Sequence, residues 1–332
     1  MWSENRKKIP EAFDRLQLII RQSIENGIRV ILCMQEMRSH HFATHFGNRD
    51  MTPLNTMAPL FKSGEEVAKF RDLWLDLSES FGDVSASSLA YELLNEPLSP
   101  SDAEWNRILG VIYKSVREKE PHRTVVFGSN YFQYPEKIRR LSIPKGDRNI
   151  IRSFHFYHPN LLTHHKATWG SIGKYKGPVK YPGRPIPDEY ESELAEQGIN
   201  PKRENIMITK SVMKMILKNA IGQGNVAKTP IHCGEFGCYE KLSMEMKIAW
   251  HEDIVSCFEE LGIAWSQWDW KGNFGLLNRY SWRPAGIHKA MGLKSPVWGY
   301  PRKRSQGLLR RVRSRITRSV QSIRDRIIGL DC

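Results

Sequence analysis

Ser88-Leu89-Ala90-Tyr91-Glu92-Leu93-Leu94-Asn95-Glu96-Pro97 is an apolar run that stops abruptly at Asn-Glu-Pro. Seven residues bounded by a turn signal, without helical spacing, predict a buried strand over 88–94 that opens into a loop at Glu96. A second run has the same form: Thr229-Pro230-Ile231-His232-Cys233 leads into Gly234-Glu235-Phe236-Gly237. Each glutamate is therefore expected at the carboxyl end of a buried strand, which is where a parallel α/β barrel keeps its chemistry.

The neighbouring periodicities agree. Residues 10–26 carry Phe13, Leu16, Ile19, Ile20 and Ile24 at helical spacing and end at Gly27, and the next run, 28–34, reads as a strand. Helices are predicted at 64–81, 102–119, near 205–222 and at 243–261, with strands at 88–94, 124–128, 150–156, 229–233 and 262–268. Strand and helix alternate as a parallel barrel demands. The stretch from about 160 to 204, rich in Gly, Pro, Tyr and Lys, has no clear period, the character of a loop that shapes a cleft.

Two glutamates at strand ends suit the cleavage of a glycosidic bond. One carboxyl group must protonate the leaving oxygen while the other acts as nucleophile or base across the anomeric carbon. Their environments should differ, so that one keeps its proton near neutrality and the other stays ionised. Asn95 adds an amide beside Glu96, turned another way by strand alternation and suited to a sugar hydroxyl.

Four motifs, in order, carry a family resemblance: Leu93-Leu94-Asn95-Glu96-Pro97, Ser153-Phe154-His155-Phe156-Tyr157-His158-Pro159, His232-Cys233-Gly234-Glu235-Phe236-Gly237, and Trp265-Ser266-Gln267-Trp268-Asp269-Trp270-Lys271-Gly272 followed by Phe274-Gly275-Leu276. Over roughly residues 10 to 300 the chain resembles glycoside hydrolase family 5, the cellulase family of retaining (β/α)8-barrel enzymes. The resemblance implies an α/β, TIM-type barrel and an endo-β-1,4-glucanase-like double displacement on a β-linked glucan or mannan. It also implies roles: Glu96 as acid/base, Glu235 as nucleophile, Asn95, His155 and Tyr157 lining the sugar site, and an aromatic of the last strand as platform. Physically, His155 and Tyr157 lie two apart and share one face of a strand, and a phenol beside a glutamate can donate the hydrogen bond that keeps it ionised. Trp268, nearer the strand's carboxyl end, is the favoured platform, with Trp265 the core residue.

Measured against eight strands the chain supplies six, from 28–34 onward, so the barrel is expected to be incomplete at its N-terminus, lacking the first two βα units. An open sheet of that kind leaves two strand edges uncovered. The resemblance also implies an arginine at the end of the second strand, which nothing here matches, and a histidine at the third, where this chain has Gln35. His40 and His41 follow in the loop. These departures keep a second reading open, a catalytically impaired barrel that binds glycan.

The formal net charge is +14, and residues 301–332 hold ten basic side chains against two acidic ones. Leu308, Val312, Ile316, Val320, Ile323 and Ile327 recur every three or four residues, so 301–332 is expected to be a basic amphipathic C-terminal helix appended to a barrel domain spanning 1–300. Such a helix could dock on the barrel, lie on an anionic membrane surface or bind nucleic acid; the absence of aromatics in 301–332 weakens the last two. Five cysteines set no disulfide framework, and no Cys/His spacing suits zinc, so neither metal nor cofactor is expected. The loop histidines His40, His41, His45, His164 and His165 read as solvated or sugar-contacting, and Gly222-Gln223-Gly224 is too short for a phosphate loop. The start, Met1-Trp2-Ser3-Glu4-Asn5-Arg6-Lys7-Lys8, leads into a charged helix and lacks the features of a signal peptide, whereas the family is usually extracellular.

Overall fold

Helix α1 (Pro10–Glu25) opens on a proline, whose missing N–H costs a first helical turn nothing. Four more helices of 12 or 18 residues follow, each opened by a hydroxyl cap: Ser63 on α2 (Gly64–Phe81), Ser101 on α3 (Asp102–Lys119), Thr209 on α4 (Lys210–Ile221) and Ser243 on α5 (Met244–Leu261). Ser101 and Glu104 have the spacing of a capping box. Helix α5 ends where Gly262 takes a left-handed conformation, φ 65°. The computed structural model describes residues 1–2, 7–37, 39–40, 58–222, 228–277 and 286–294. His41, His45 and the basic segment 301–332 lie outside the described residues.

Between the helices run β1 (Val30–Cys33), β2 (Leu89–Glu92), β3 (Thr124–Gly128), β4 (Ile150–Phe156), β5 (Ile231–Phe236) and β6 (Ala264–Trp265). All pair in parallel with their neighbours in sequence, in the order β1-β2-β3-β4-β5-β6, which gives a half-barrel of six strands. Among the described residues the sheet is not closed: β1 and β6 are its edges. Near the β1 edge Leu18, Ile19, Ile28 and Ile31 are exposed, the uncovered apolar surface expected of an incomplete barrel. The last strand is shorter than 262–268 predicted, two residues instead of seven, because only His232 and Cys233 of β5 pair with it.

Every residue of β2 is buried, as a strand covered on both faces must be. Three tryptophans tie the helical layer to the strands' carboxyl ends. Trp74 of α2 donates from Nε1 to the Leu93 carbonyl, Trp105 of α3 to Gly128, and Trp250 of α5 to His158, at 2.9–3.0 Å. Each indole is buried, and each satisfies a carbonyl near the point where a strand hands over to its loop, so it fills the core and anchors the loop that carries the site. At the opposite end buried Arg123 pairs with Glu120 and donates to the carbonyls of Phe81, Val84, Ser85 and Leu89. The stretch without a period, 160–204, contains short helical turns around a small separate core of Leu161, Tyr175, Ile186, Leu194 and Ile199.

Candidate active site

Three strands deliver three titratable groups to one place. The loop after β2 brings Glu96, β4 brings His155, and β5 brings Glu235; one ligand atom of each lies within 4.8 Å of the others. The meeting depends on a local irregularity. Along the β4–β5 ladder Phe154 faces Cys233 but His155 faces Glu235, so Gly234 is an extra residue that shifts the register by one. Such a bulge re-aims the side chain that follows it. It needs glycine: a Cβ at 234 would stand 2.8 Å from Ser153 Oγ and 3.3 Å from His155 Nε2.

His155 Nδ1 lies 2.8 Å from Glu96 Oε1 and 3.6 Å from Glu235 Oε2. Tyr157 donates from its hydroxyl to Glu235 Oε2 at 3.0 Å. The His155 side chain is 2% exposed, those of Glu96 and Glu235 14% and 13%, so the carboxylates face a small opening while the imidazole is sealed behind them. Burial by itself would lower the His155 pKa, but Glu235 and Glu96 outweigh it and push it up to about 9, so the ring is an imidazolium at neutrality. Burial raises Glu235 to about 7, Glu96 adding to the rise while His155 and the Tyr157 hydroxyl oppose it. The raised value falls on the glutamate expected to be ionised. Tyr157 is pushed well above its usual value, by burial first and then by the carboxylates, and stays a neutral donor.

Asn95 is buried, with its N–H donating to the Met34 carbonyl at 3.0 Å, which splices the end of β1 to the loop after β2. Trp265 packs edge-on against Phe236 and donates to Glu259, a core-side role. Trp268 lies beyond the end of β6, so strand alternation does not set its direction. It is 37% exposed and, with Trp169, Asp269, Lys271, Gly272, Asn273 and Phe274, lines an open depression of about 420 Å³. Phe274 also packs against Tyr157, with ring centroids 5.8 Å apart, so an aromatic wall runs from Glu235 to that depression.

Several expectations need correction. His164 and His165 are not solvated: His165 is buried with Nε2 against the Gly177 carbonyl, and His164 packs on Tyr157 and Phe274, its pKa driven down to about 4 by burial. His40 is buried against Phe61. Gln35 is exposed. Glu96, His155 and Glu235 also have the mutual reach of metal ligands, but a cation there would have to displace the proton that the carboxylates hold on His155 up to about 9. Two participants carried no motif: Gln133, buried behind Glu96, and Trp169, on the aromatic wall. The position of Gln133 five residues after the predicted strand 124–128, at a barrel's chemical end, was the available signal.

The fold is of the (β/α)8-barrel class, with six of its strands among the described residues and acidic side chains converging at their carboxyl ends. Residues 2–274 match the Cellulase model, glycosyl hydrolase family 5, and the chain belongs to that family. Endoglucanase C of Acetivibrio thermocellus is 32% identical over 219 residues, 64% of this chain and 62% of the relative. Cellodextrinase A of Ruminococcus flavefaciens is 23% identical over 257 residues, 77% of this chain and 67% of the relative. A hyperthermophilic endo-β-1,4-glucanase solved with substrate superposes with a TM-score of 0.66 at 21% identity, covering 87% of this chain and 80% of that one. The chain thus spans 62% of the length of the endoglucanase it matches.

Proposed function

We propose that the chain is a retaining β-glycosidase acting on β-linked glucan in the manner of an endo-β-1,4-glucanase, with Glu235 as nucleophile and Glu96 as acid/base. The observation that carries this reading is the convergence of Glu96, His155 and Glu235 with the Tyr157 hydroxyl on Glu235. An oxygen of each glutamate lies within 4.8 Å of the other, compatible with the carboxyl separation of about 5–5.5 Å in retaining enzymes. The names of the relatives, endoglucanase and cellodextrinase, agree with a β-glucan substrate.

In this mechanism Glu235 attacks the anomeric carbon as the bond to the leaving oxygen breaks and Glu96 gives that oxygen its proton. Glu96 then takes a proton from water, which attacks the glycosyl-Glu235 ester, frees the sugar with its configuration retained and restores both glutamates. Tyr157, donating to Glu235, favours leaving the negative charge there. We place Asn95 and Tyr157 beside the reacting sugar, with His155 behind the two carboxylates it faces, and Trp268 as the aromatic face for the polymer.

The test is turnover of β-1,4-glucans and mannans, together with a 2-fluoro-glycosyl inactivator and mass spectrometry of the labelled peptide; a label anywhere but Glu235 refutes the assignment. A second reading, a barrel that binds glycan without cleaving it, draws on the open edges at β1 and β6. Retention on β-glucan without release of reducing ends, and without inactivator labelling, selects it.

A further inference from the structure

Just after β3 the chain makes a turn that few sequences would choose. Tyr131, Phe132 and Gln133 have φ of 61°, 58° and 54°, three successive non-glycine residues in the left-handed region. Backbone of this kind persists only where its surroundings over-determine it. Here they do. The N–H groups of Tyr131 and Phe132 both donate to the Pro97 carbonyl, at 2.8 and 3.3 Å. Asn130 accepts from the Ser99 N–H at 2.9 Å and donates to the Ser99 carbonyl at 3.1 Å. The turn is therefore a strap clamped over the loop that carries Glu96.

The strap delivers one fully buried side chain. Gln133 Oε1 accepts the Glu96 N–H at 2.8 Å, and Nε2 donates to Glu92 Oε1 at 3.1 Å and to Ser153 Oγ at 3.3 Å. One amide thus links the backbone of Glu96 to β2, which carries Glu92, and to β4, which carries His155. Glu96 needs such a hold, because its φ is 43° immediately before Pro97, a site where the chain prefers extended backbone. Gly128 makes room for the amide: a Cβ there would stand 2.7 Å from Gln133 Cδ. Gly128 itself is not in the left-handed region, so the close approach of Gln133 is what this position requires.

We propose that Gln133, presented by the left-handed strap at 131–133, is a positioning residue that holds Glu96 in the backbone conformation from which it donates and accepts the proton. This deepens the proposed function and rests on it. Gln133 touches no substrate in this scheme; it acts through the Glu96 N–H and through Glu92. A residue that serves only the fold would lower every activity in proportion to the folded fraction. A residue that aims the acid/base catalyst penalises leaving groups that need a proton and spares those that do not.

The test compares aryl β-cellobiosides with a poor and a good phenolate leaving group in the full chain. For Gln133→Leu, kcat on the poor leaving group should fall on the order of a hundredfold with KM little changed, the cost of a catalytic group displaced by about 1 Å. The good leaving group should lose far less. Gln133→Glu supplies a rescue with a pH signature. Protonated, the introduced carboxyl can still accept from the Glu96 N–H and donate to Glu92; ionised, it repels Glu92. The alkaline limb of kcat/KM should therefore move to lower pH than in the parent, with near-parent activity on the acid side. Gly128→Ala, which crowds the intact amide, should reproduce the leaving-group split of Gln133→Leu. An unchanged leaving-group ratio in all three variants, with the parent alkaline limb in Gln133→Glu, overturns the proposal; if Gln133→Leu fails to fold, the other two decide it. Should the parent turn over neither glycoside, the functional reading falls, and a crystal structure of Gln133→Glu at high pH still decides the positioning claim. Glu96 displaced from its positive φ supports it, and Glu96 in place refutes it.

Discussion

Replacing Tyr157 by Phe should move the acid limb of activity toward neutral and alkaline pH, and the structure sets how far. The hydroxyl donates to Glu235 Oε2 at 3.0 Å inside a site where burial holds that carboxyl at about 7. A hydrogen bond to a charged group contributes about 1.5–3 kcal/mol, and 1.36 kcal/mol corresponds to one pH unit, so losing it should raise the limb by about 1 to 2 pH units. The direction follows from which form is stabilised: the phenol favours the ionised carboxylate, so without it the nucleophile stays protonated to higher pH. At pH 6.5 the variant should retain roughly a tenth to a hundredth of the parent's kcat/KM on an aryl β-cellobioside, with much of the loss recovered near pH 9. The ring would not wander, because Phe274 and His164 pack on it at 5.8 and 5.0 Å between centroids, and Thr163 Oγ1 donates to the Tyr157 carbonyl at 2.6 Å. The assay is kcat/KM against pH for both proteins, with carbon-13 NMR titration of the glutamate carboxyls as a readout that needs no turnover. An acid limb that stays where it was, with a coincident NMR titration, refutes the reasoning: either the limb does not report Glu235 or the hydroxyl does not stabilise its charge.

Glu235→Ala should abolish turnover of any leaving group, whereas Glu96→Ala should keep the first step for aryl glycosides that need no proton and, with azide, yield a β-glycosyl azide; identical behaviour of the two variants would break the division of roles. Stability should fall between pH 6.5 and 9, because the raised His155 pKa adds stabilisation that is complete below 6.5 and is lost as the ring deprotonates through about 9. That is at most about 3 kcal/mol, and urea titrations across this range should show a flatter profile for His155→Gln; an unaltered slope would mean that His155 is not charged in the folded chain. Trp268→Ala should raise KM for cello-oligosaccharides about threefold to tenfold with kcat nearly unchanged, the size of a lost aromatic contact of about 0.5–1.5 kcal/mol, and an unaffected KM would remove Trp268 as the platform.

The order of strands and helices was legible because its causes are local. Apolar runs of strand length, helical spacing and a glycine stop each act within a few residues, and the strands at 124–128 and 150–156 and the helices at 64–81 and 102–119 have the predicted bounds. Asn95-Glu96 and Gly234-Glu235 were legible as strand-end carboxylates for the same reason, and the count of strands already implied an open sheet. The bulge at Gly234 was not, since a one-residue register shift is a property of two paired strands and sets which side chain of β5 meets His155. Burial of His164 and His165 depended on the packing of a segment with no period of its own. The proton balance of the site is likewise a tertiary quantity, because the pKa values of His155 and Glu235 are set mainly by burial and by charges that three different strands bring together. Gln133 shows the division most sharply: nothing in Asn130-Tyr131-Phe132-Gln133 announces a left-handed turn, and its meaning appears only when Pro97, Ser99, Glu92 and Ser153 are in place around it. Local sequence determined which elements form and which carboxylates stand at their ends, since those depend on neighbours along the chain; tertiary packing decided how the carboxylates face each other, what charge they carry and what holds them there, since those depend on neighbours across it.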